Sequence, residues 1–79
     1  MLTIYTTGPG CHKCKLTKDA FDKAGVEYAE VRLDESPELA ETFRAAGHMV
    51  APVVNDRLLD ATWSDFRRDL ITASIKARA

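Results

Sequence analysis

The sequence is poor in the residues on which several specialised folds depend. Its 79 residues include only two cysteines, four glycines, three prolines and one tryptophan, and the formal net charge is −1. Two cysteines are too few for the disulfide framework of a small secreted domain, and the near-neutral charge disfavours nucleic-acid binding. No run of about 18 apolar residues occurs, which argues against a membrane-spanning helix. The sequence therefore predicts a globular protein with neither nucleic acid nor membrane as partner.

What the chain does contain is enough apolar material for one core. Apolar residues make up 46% of the sequence, and the length fits one domain, residues 1–79, rather than two. The first residues lack the basic and apolar regions of a signal peptide. We therefore expect a cytoplasmic monomer. In that compartment a pair of cysteines is more often catalytic or metal-binding than structural.

The two cysteines, Cys11 and Cys14, are separated by two residues and lie between a strand-like run and a helix-like run. A cysteine at a helix start is close to free backbone N–H groups and to the positive end of the helix dipole, and both favour the thiolate. A second cysteine one turn later can reach the same sulfur. The spacing thus predicts a reversible dithiol/disulfide centre, in which Cys11 is the nucleophile and Cys14 resolves the mixed disulfide.

The two cysteines have two other interpretations. They could be buried thiols without function, or they could bind zinc together with His12 and His48. However, His12 lies between the cysteines, and no second CxxC or HxxxH pair is present. A redox centre without a bound metal is therefore favoured over a metal-binding or purely interacting module.

Hydrophobic periodicity and turn residues predict four strands and three helices. In the first helix, Leu16 and Phe21 lie on the apolar face, and in the second Phe43 does so. We expect the last helix to be capped by Thr62, with Asp65 at its third position. The predicted elements are a strand at 2–6, a helix at 11–24, a strand at 26–33, a helix at 36–46, a hairpin of strands 50–54 and 57–60 turning at 55–56, the last helix, and a fraying tail at 76–79.

The resulting order, β-α-β-α-β-β-α, predicts an α/β protein with one four-stranded mixed sheet flanked by three helices. The first two strands should be parallel because a helix connects them by a right-handed crossover. The last two should form an antiparallel hairpin. This is a thioredoxin-like fold, and the strand–CxxC–helix entry at Cys11 is consistent with it.

Over nearly its whole length the chain resembles the NrdH-redoxins. CxxC and the proline-containing strand specify only the thioredoxin superfamily, whereas Trp-Ser-x-Phe-Arg on a chain of this length points to this family. The resemblance implies a dithiol electron donor for class Ib ribonucleotide reductase that thioredoxin reductase recharges, with NADPH used indirectly and no bound cofactor. The segments that carry it are Thr3-Ile4-Tyr5-Thr6, Cys11-His12-Lys13-Cys14, Ala51-Pro52-Val53-Val54 and Trp63-Ser64-Asp65-Phe66-Arg67.

The same resemblance implies roles for residues outside the cysteines. The Ala51–Pro52 bond is expected to be cis and to lie against the CxxC, which leaves Ala51 able to pair with an incoming peptide. Trp63 is expected to be partly exposed beside the active site and to dock partners, although it could instead be a core residue. The partner-binding segment would also include Ser64, Asp65, Phe66 and Arg67, of which Phe66 is expected in the core.

The residues between the cysteines have two interpretations. Positive charge at His12 and Lys13 would stabilise the thiolate and modulate the redox couple. Alternatively, Lys13 points to water and contributes to a docking patch. The sequence does not separate the two.

Asp65 is the main departure from the family, which usually has glycine there. Glutathione-using glutaredoxins carry an aspartate at the matching place, where it meets the γ-glutamyl ammonium. They also carry a Gly-Gly pair that is Ala61-Thr62 here. A glutathione-dependent glutaredoxin is therefore the alternative function.

Overall fold

A computed structural model describes residues 2–8 and 10–78. In these residues, four strands and three helices follow one another in the predicted order β-α-β-α-β-β-α. Pro9, part of the turn predicted at Gly8-Pro9-Gly10, lies outside the described residues. The elements are β1 Leu2–Thr6, α1 His12–Lys23, β2 Ala29–Arg32, a 3-10 turn Leu33–Glu35, α2 Pro37–Ala45, β3 Val53–Asp56, β4 Ala61–Ser64 and α3 Arg68–Ala77.

The strands form one mixed sheet in the order β2-β1-β3-β4. Strand β1 is parallel to β2 and antiparallel to β3, and β3 is antiparallel to β4. Ile4 stands opposite Val54, which in turn stands opposite Trp63. The predicted thioredoxin-like topology is confirmed.

Alternation along the strands divides the sheet into two faces. One face carries Ile4 and Val54, both fully buried with Phe21 of α1 and Ile71 of α3. On the other face the ring of Tyr5 lies 4.7 Å from that of Phe43 in α2. Helices α1 and α3 thus cover one face and α2 the other, and each large apolar side chain buried between them stabilises the fold by about 1.5–3 kcal/mol.

The buried face of α1 differs from the predicted one. Leu16 is 37% exposed, and the buried residues of the helix are Cys14, Thr17 and Phe21. The polar Thr17 is tolerated there because its hydroxyl donates a hydrogen bond to the Lys13 carbonyl over 2.9 Å. The expected apolar stripe through Leu16 was wrong because the helix is rotated so that Cys14 faces inward.

The hairpin turns later than predicted. Asn55 and Asp56 belong to β3, and the turn comprises residues 57–60. Asp56 is completely buried, and its carboxylate accepts the backbone N–H groups of Leu58 and Leu59 at 3.0 and 3.4 Å. The predicted turn at 55–56 was wrong because this carboxylate organises the turn beyond itself.

The later turn also displaces the last helix. Thr62 lies in β4, where its hydroxyl accepts a hydrogen bond from the Asn55 side chain at 2.8 Å. It therefore does not cap α3, which begins at Arg68. The prediction that the tail frays was wrong for Arg78, because its side chain binds Asp56. Ala79 lies outside the described residues.

Two further elements are shorter or less buried than expected. Strand β2 comprises only Ala29–Arg32 of the predicted 26–33. In α2 no residue is fully buried, although Ser36 occupies the N-cap position and Pro37 the first turn, as predicted. No helix in the described part of the chain is long and apolar enough to cross a bilayer.

Tyr28, at the start of the β2 region, provides a pH-dependent probe of the fold. Burial, together with the 2.9 Å hydrogen bond that its hydroxyl donates to Asp22, raises the pKa of Tyr28 to about 12. Because the unfolded phenol ionises near pH 10, the free energy of unfolding should fall as pH rises from about 10 to about 12.

Absorbance at 295 nm is expected to show a tyrosine transition near pH 12 that is missing in Tyr28→Phe, and the variant's stability should be less sensitive to pH in that range. A transition near pH 10 that disappears in Tyr28→Phe would contradict this prediction.

Candidate active site

The sulfur of Cys11 lies at the N-terminus of α1. Cys11 has the extended conformation of an N-cap (φ −84°, ψ 102°), and its Sγ accepts the backbone N–H of Cys14 at 3.2 Å. The first turn of α1 contains no acidic residue that would offset the positive end of the helix dipole. The helix dipole and the Cys14 N–H therefore both stabilise negative charge on the Cys11 sulfur.

Cys11 and Cys14 are joined by a disulfide. Their Cα atoms are 5.3 Å apart, within the usual range for such a bond. Cys14 is 1% exposed, whereas Cys11 is only half-buried. An incoming thiol or disulfide therefore meets Cys11 first.

The loop before Cys11 depends on a glycine. Gly8 has φ +118°, and its carbonyl accepts the Cys11 N–H at 3.2 Å. A Cβ at this position would lie 3.2 Å from the Arg32 guanidinium and 3.2 Å from the Asp34 carboxylate, two groups that pair with each other. The backbone angle and the close contact together require glycine here.

Pro52 lies beside the end of β1, from which the chain continues towards Cys11. Val53 stands opposite Tyr5 in the β1–β3 ladder, and Pro52 directly precedes it. The Ala51–Pro52 bond is cis, the conformation that the resemblance implies. The Pro52 carbonyl accepts the backbone N–H of Asp65 at 2.9 Å, which joins the turn after β4 to the start of β3.

Asp65 contacts the CxxC through Lys13. The Lys13 Nζ lies 2.9 Å from Asp65 Oδ1, which also accepts the Phe66 N–H at 2.7 Å. These two hydrogen bonds, that of Lys13 foremost, lower the pKa of the Asp65 carboxyl. Asp65 has φ +72°, a left-handed conformation that favours glycine and that aspartate tolerates better than most residues.

The rest of the 63–67 segment is arranged differently from expectation. Trp63 is 5% exposed and belongs to the core of the α1/α3 face, so the expected exposure of its side chain was wrong. It is buried because the later hairpin turn places it in β4 opposite Val54. Phe66 is half-buried against the core, as predicted, and Arg67 pairs with Asp69 at 3.1 Å. Ser64 ends β4.

His12 and His48 do not form a zinc site with the cysteines in the described residues. The His48 ring lies 6.1 Å from that of Phe43 in the α2 region, and His12 is exposed on α1. Within residues 2–8 and 10–78 no group of three or more Cys, His, Asp or Glu side chains is placed to hold a metal ion.

Sequence reasoning missed two contacts of this site. It treated Asp65 only as a capping or glutathione-binding group, and it gave Arg32 and Asp34 no role near Gly8. No local pattern could indicate either contact, because each joins residues from separate elements of the fold. The positive charge of Lys13 and the negative charge of Asp65 were visible, but their proximity was not.

A CxxC disulfide at a helix N-terminus, together with a cis-proline directly before the strand that pairs with β1 of a thioredoxin-like sheet, defines a thiol-disulfide oxidoreductase. The Glutaredoxin family model matches residues 2–56. The glutaredoxin-like protein NrdH of Salmonella typhimurium is 41% identical over 70 residues, covering 89% of this chain and 83% of the relative. NrdH of Lactococcus lactis is 31% identical over 67 residues, covering 85% and 89%.

A solved structure agrees with the sequence relatives. The NrdH-redoxin of Escherichia coli, described as a glutaredoxin-like protein with a thioredoxin-like activity profile, superimposes with a TM-score of 0.84 at 39% identity, covering 91% of each chain. The chain belongs to the glutaredoxin family and, within it, to the NrdH-type redoxins. Its redox centre is the Cys11–Cys14 disulfide.

Proposed function

We propose that this protein is a dithiol electron donor in which Cys11 attacks the disulfide of a partner protein and Cys14 resolves the intermediate. The difference in burial between the two sulfurs supports this assignment most directly. Cys11 is half-exposed at the helix N-cap, whereas Cys14 is 1% exposed. Only the outer sulfur is accessible to a macromolecular disulfide.

The electrons balance in two exchange steps. The Cys11 thiolate forms a sulfur–sulfur bond with one sulfur of the partner disulfide and expels the other as a thiolate. Cys14 then loses its proton to solvent and attacks Cys11, which closes the Cys11–Cys14 disulfide and releases the second partner thiolate. The partner gains two electrons and, from solvent, two protons, and an external dithiol reductase returns the two electrons to this protein.

The partner is expected to bind at the segment Ala51-Pro52, directly before β3. Met49 and Val50, just before this segment, are 72% and 42% exposed, and exposed apolar side chains of this kind favour contact with another protein. An extended segment carrying the target disulfide would pair with the backbone at Ala51. Ser64 and Arg67 would border this segment, while the buried Trp63 would support the surface from below.

For the physiological partners we propose thioredoxin reductase as the reductant, with NADPH as its electron source, and class Ib ribonucleotide reductase as the target, in the cytoplasm. This proposal rests on the resemblance to NrdH-redoxins and on the thioredoxin-like profile described for the Escherichia coli protein. The engagement of Asp65 by Lys13 is consistent with it, because that carboxylate would have to leave Lys13 to receive a glutathione ammonium.

Glutathione dependence is the second candidate function. The observations that favour it are the match to the Glutaredoxin family model and the presence of a carboxylate at Asp65. If glutathione is the reductant, Asp65→Ala should weaken activity towards a glutathione mixed disulfide.

A comparison of reductants tests the proposal. With insulin disulfides as acceptor, thioredoxin reductase and NADPH should support turnover at least about tenfold faster than glutathione with glutathione reductase, because a reductase protein would be recognised over a larger surface than the small glutathione molecule. The Cys11→Ser variant is the control for background reduction. Rapid turnover with glutathione and none with thioredoxin reductase would refute the proposal and favour the second candidate.

A further inference from the structure

Lys13, between the two cysteines, is not simply a solvated side chain. Its ammonium is bound to Asp65 at 2.9 Å, although the two side chains remain 51% and 42% exposed. Asp65 comes from the turn after β4, so this ion pair joins the turn of α1 that contains both cysteines to a distant part of the chain. Lys13 is thereby held at one fixed partner.

Asp65 is itself fixed by three contacts. Its carboxylate accepts from Lys13 and from the Phe66 backbone, and its own N–H donates to Pro52. This occurs in a left-handed conformation (φ +72°) that glycine would adopt without strain. A non-glycine residue in this conformation at an active site suggests that its side chain is needed there.

The charges around the cysteines explain what the carboxylate does. The start of α1 already favours a thiolate at Cys11, through the helix dipole and the Cys14 N–H. A free Lys13 cation in the same turn would favour it further and make the couple more oxidising. That effect would oppose the function of a reductant.

We propose that Asp65 is a positioning residue that holds and neutralises Lys13, and so keeps the Cys11–Cys14 dithiol a stronger reductant than the Cys-His-Lys-Cys motif alone would make it. The proposal concerns the dithiol itself and holds whichever reductase recharges the protein.

The other charged side chains of this region either pair with their own carboxylates or are exposed. Arg67 is paired with Asp69, Arg32 with Asp34, and Lys18 with Glu30. His12 and Lys15 share the first turns of α1 with Lys13 and are exposed. Their contributions to the Cys11 thiolate are common to wild type and to the variants below.

The test compares Asp65→Asn with wild type in two measurements on the purified protein. These are the pH midpoint of Cys11 alkylation by iodoacetamide, and the equilibrium constant for oxidation of the dithiol in a glutathione redox buffer. In Asp65→Asn, the fraction of Cys11 present as thiolate at a pH below the alkylation midpoint should rise about threefold. The equilibrium constant for oxidation of the dithiol should fall by a similar factor, a size typical of a half-exposed ion pair. Asp65→Gly, in which glycine adopts the left-handed conformation freely, should show the same shifts.

The Lys13→Gln background shows whether Asp65 acts through Lys13. There, Asp65→Asn should change both quantities by much less than in wild type. Asp69→Asn, which breaks the comparably exposed pair with Arg67, is the matched control and should leave both unchanged.

Unchanged values in Asp65→Asn, or equal shifts with and without Lys13, would overturn the proposal. Neither measurement uses a protein partner, so failure here is distinct from failure of the proposed function.

Discussion

Replacing Cys11 with serine is expected to lower the rate of protein disulfide reduction by at least roughly 1,000-fold, because the serine hydroxyl is not ionised at neutral pH and cannot form the mixed disulfide. Turnover of insulin disulfides with an excess of reductase is the measurement. The substitution removes no core contact, since Cys11 is only half-buried. Circular dichroism should therefore show an intact fold.

Cys14→Ser separates the two roles. This variant should still attack a target disulfide through Cys11, but it should stop at the covalent complex, because no second thiol is present to release the target. A reducible adduct on a non-reducing gel is the expected result. If Cys11→Ser traps the adduct and Cys14→Ser does not, the assignment of nucleophile and resolving cysteine is reversed.

Replacing Asp56 with asparagine should lower the free energy of unfolding by about 3–5 kcal/mol, the usual consequence of removing one partner from a buried ion pair. Asp56 is completely buried, and Arg78 binds both of its oxygens at 2.8 Å. The Ser74 hydroxyl donates a further hydrogen bond to Asp56. Urea denaturation measures the loss, which is a large share of the stability of so small a domain.

Two variants control this measurement. Arg78→Lys keeps the charge but loses the bidentate contact with Asp56, and it should lower the free energy of unfolding by less than Asp56→Asn does. Arg67→Gln breaks an exposed ion pair with Asp69 and should leave the unfolding midpoint almost unchanged. Equal losses in Arg67→Gln and Asp56→Asn would contradict a special role for the buried pair.

The Asp56 pair should also appear in the acid dependence of stability. The Arg78 guanidinium, acting against the cost of burial and assisted by Ser74, holds the pKa of Asp56 well below its usual value. A depressed folded-state pKa stabilises the protein above the unfolded value near 4, and this contribution is lost progressively as pH falls below it. In Asp56→Asn that part of the acid dependence should disappear.

The local patterns of the first half of the chain predicted its structure well. The alternation at Leu2–Thr6 and the start of a helix at Cys11 depend on residues that are neighbours in sequence. Gly25, just after α1, has the left-handed conformation that is typical of glycine beyond a helix end. In these places the backbone conformation is decided by short-range steric and hydrogen-bonding effects.

The second half shows where local reasoning fails. Asn55-Asp56 is a good turn pair in isolation, yet both residues lie in β3. Asp56 binds Ser74 of α3 and Arg78 directly after that helix, and these contacts outweigh its local preference for a turn. The second strand of the hairpin therefore begins at Ala61 instead of residue 57, which places Trp63 in the core and the start of the last helix at Arg68.

The redox chemistry of this protein could be predicted from local sequence alone, because it depends on two cysteines one helical turn apart after a strand and on a proline before another strand. Which charged side chains lie near the cysteines depends on the tertiary structure. Lys13 meets Asp65, and Asp56 meets Arg78, only after the hairpin register and the helix packing are set. Ion pairs between distant residues depend on the position of every element between them, and no local pattern encodes that position.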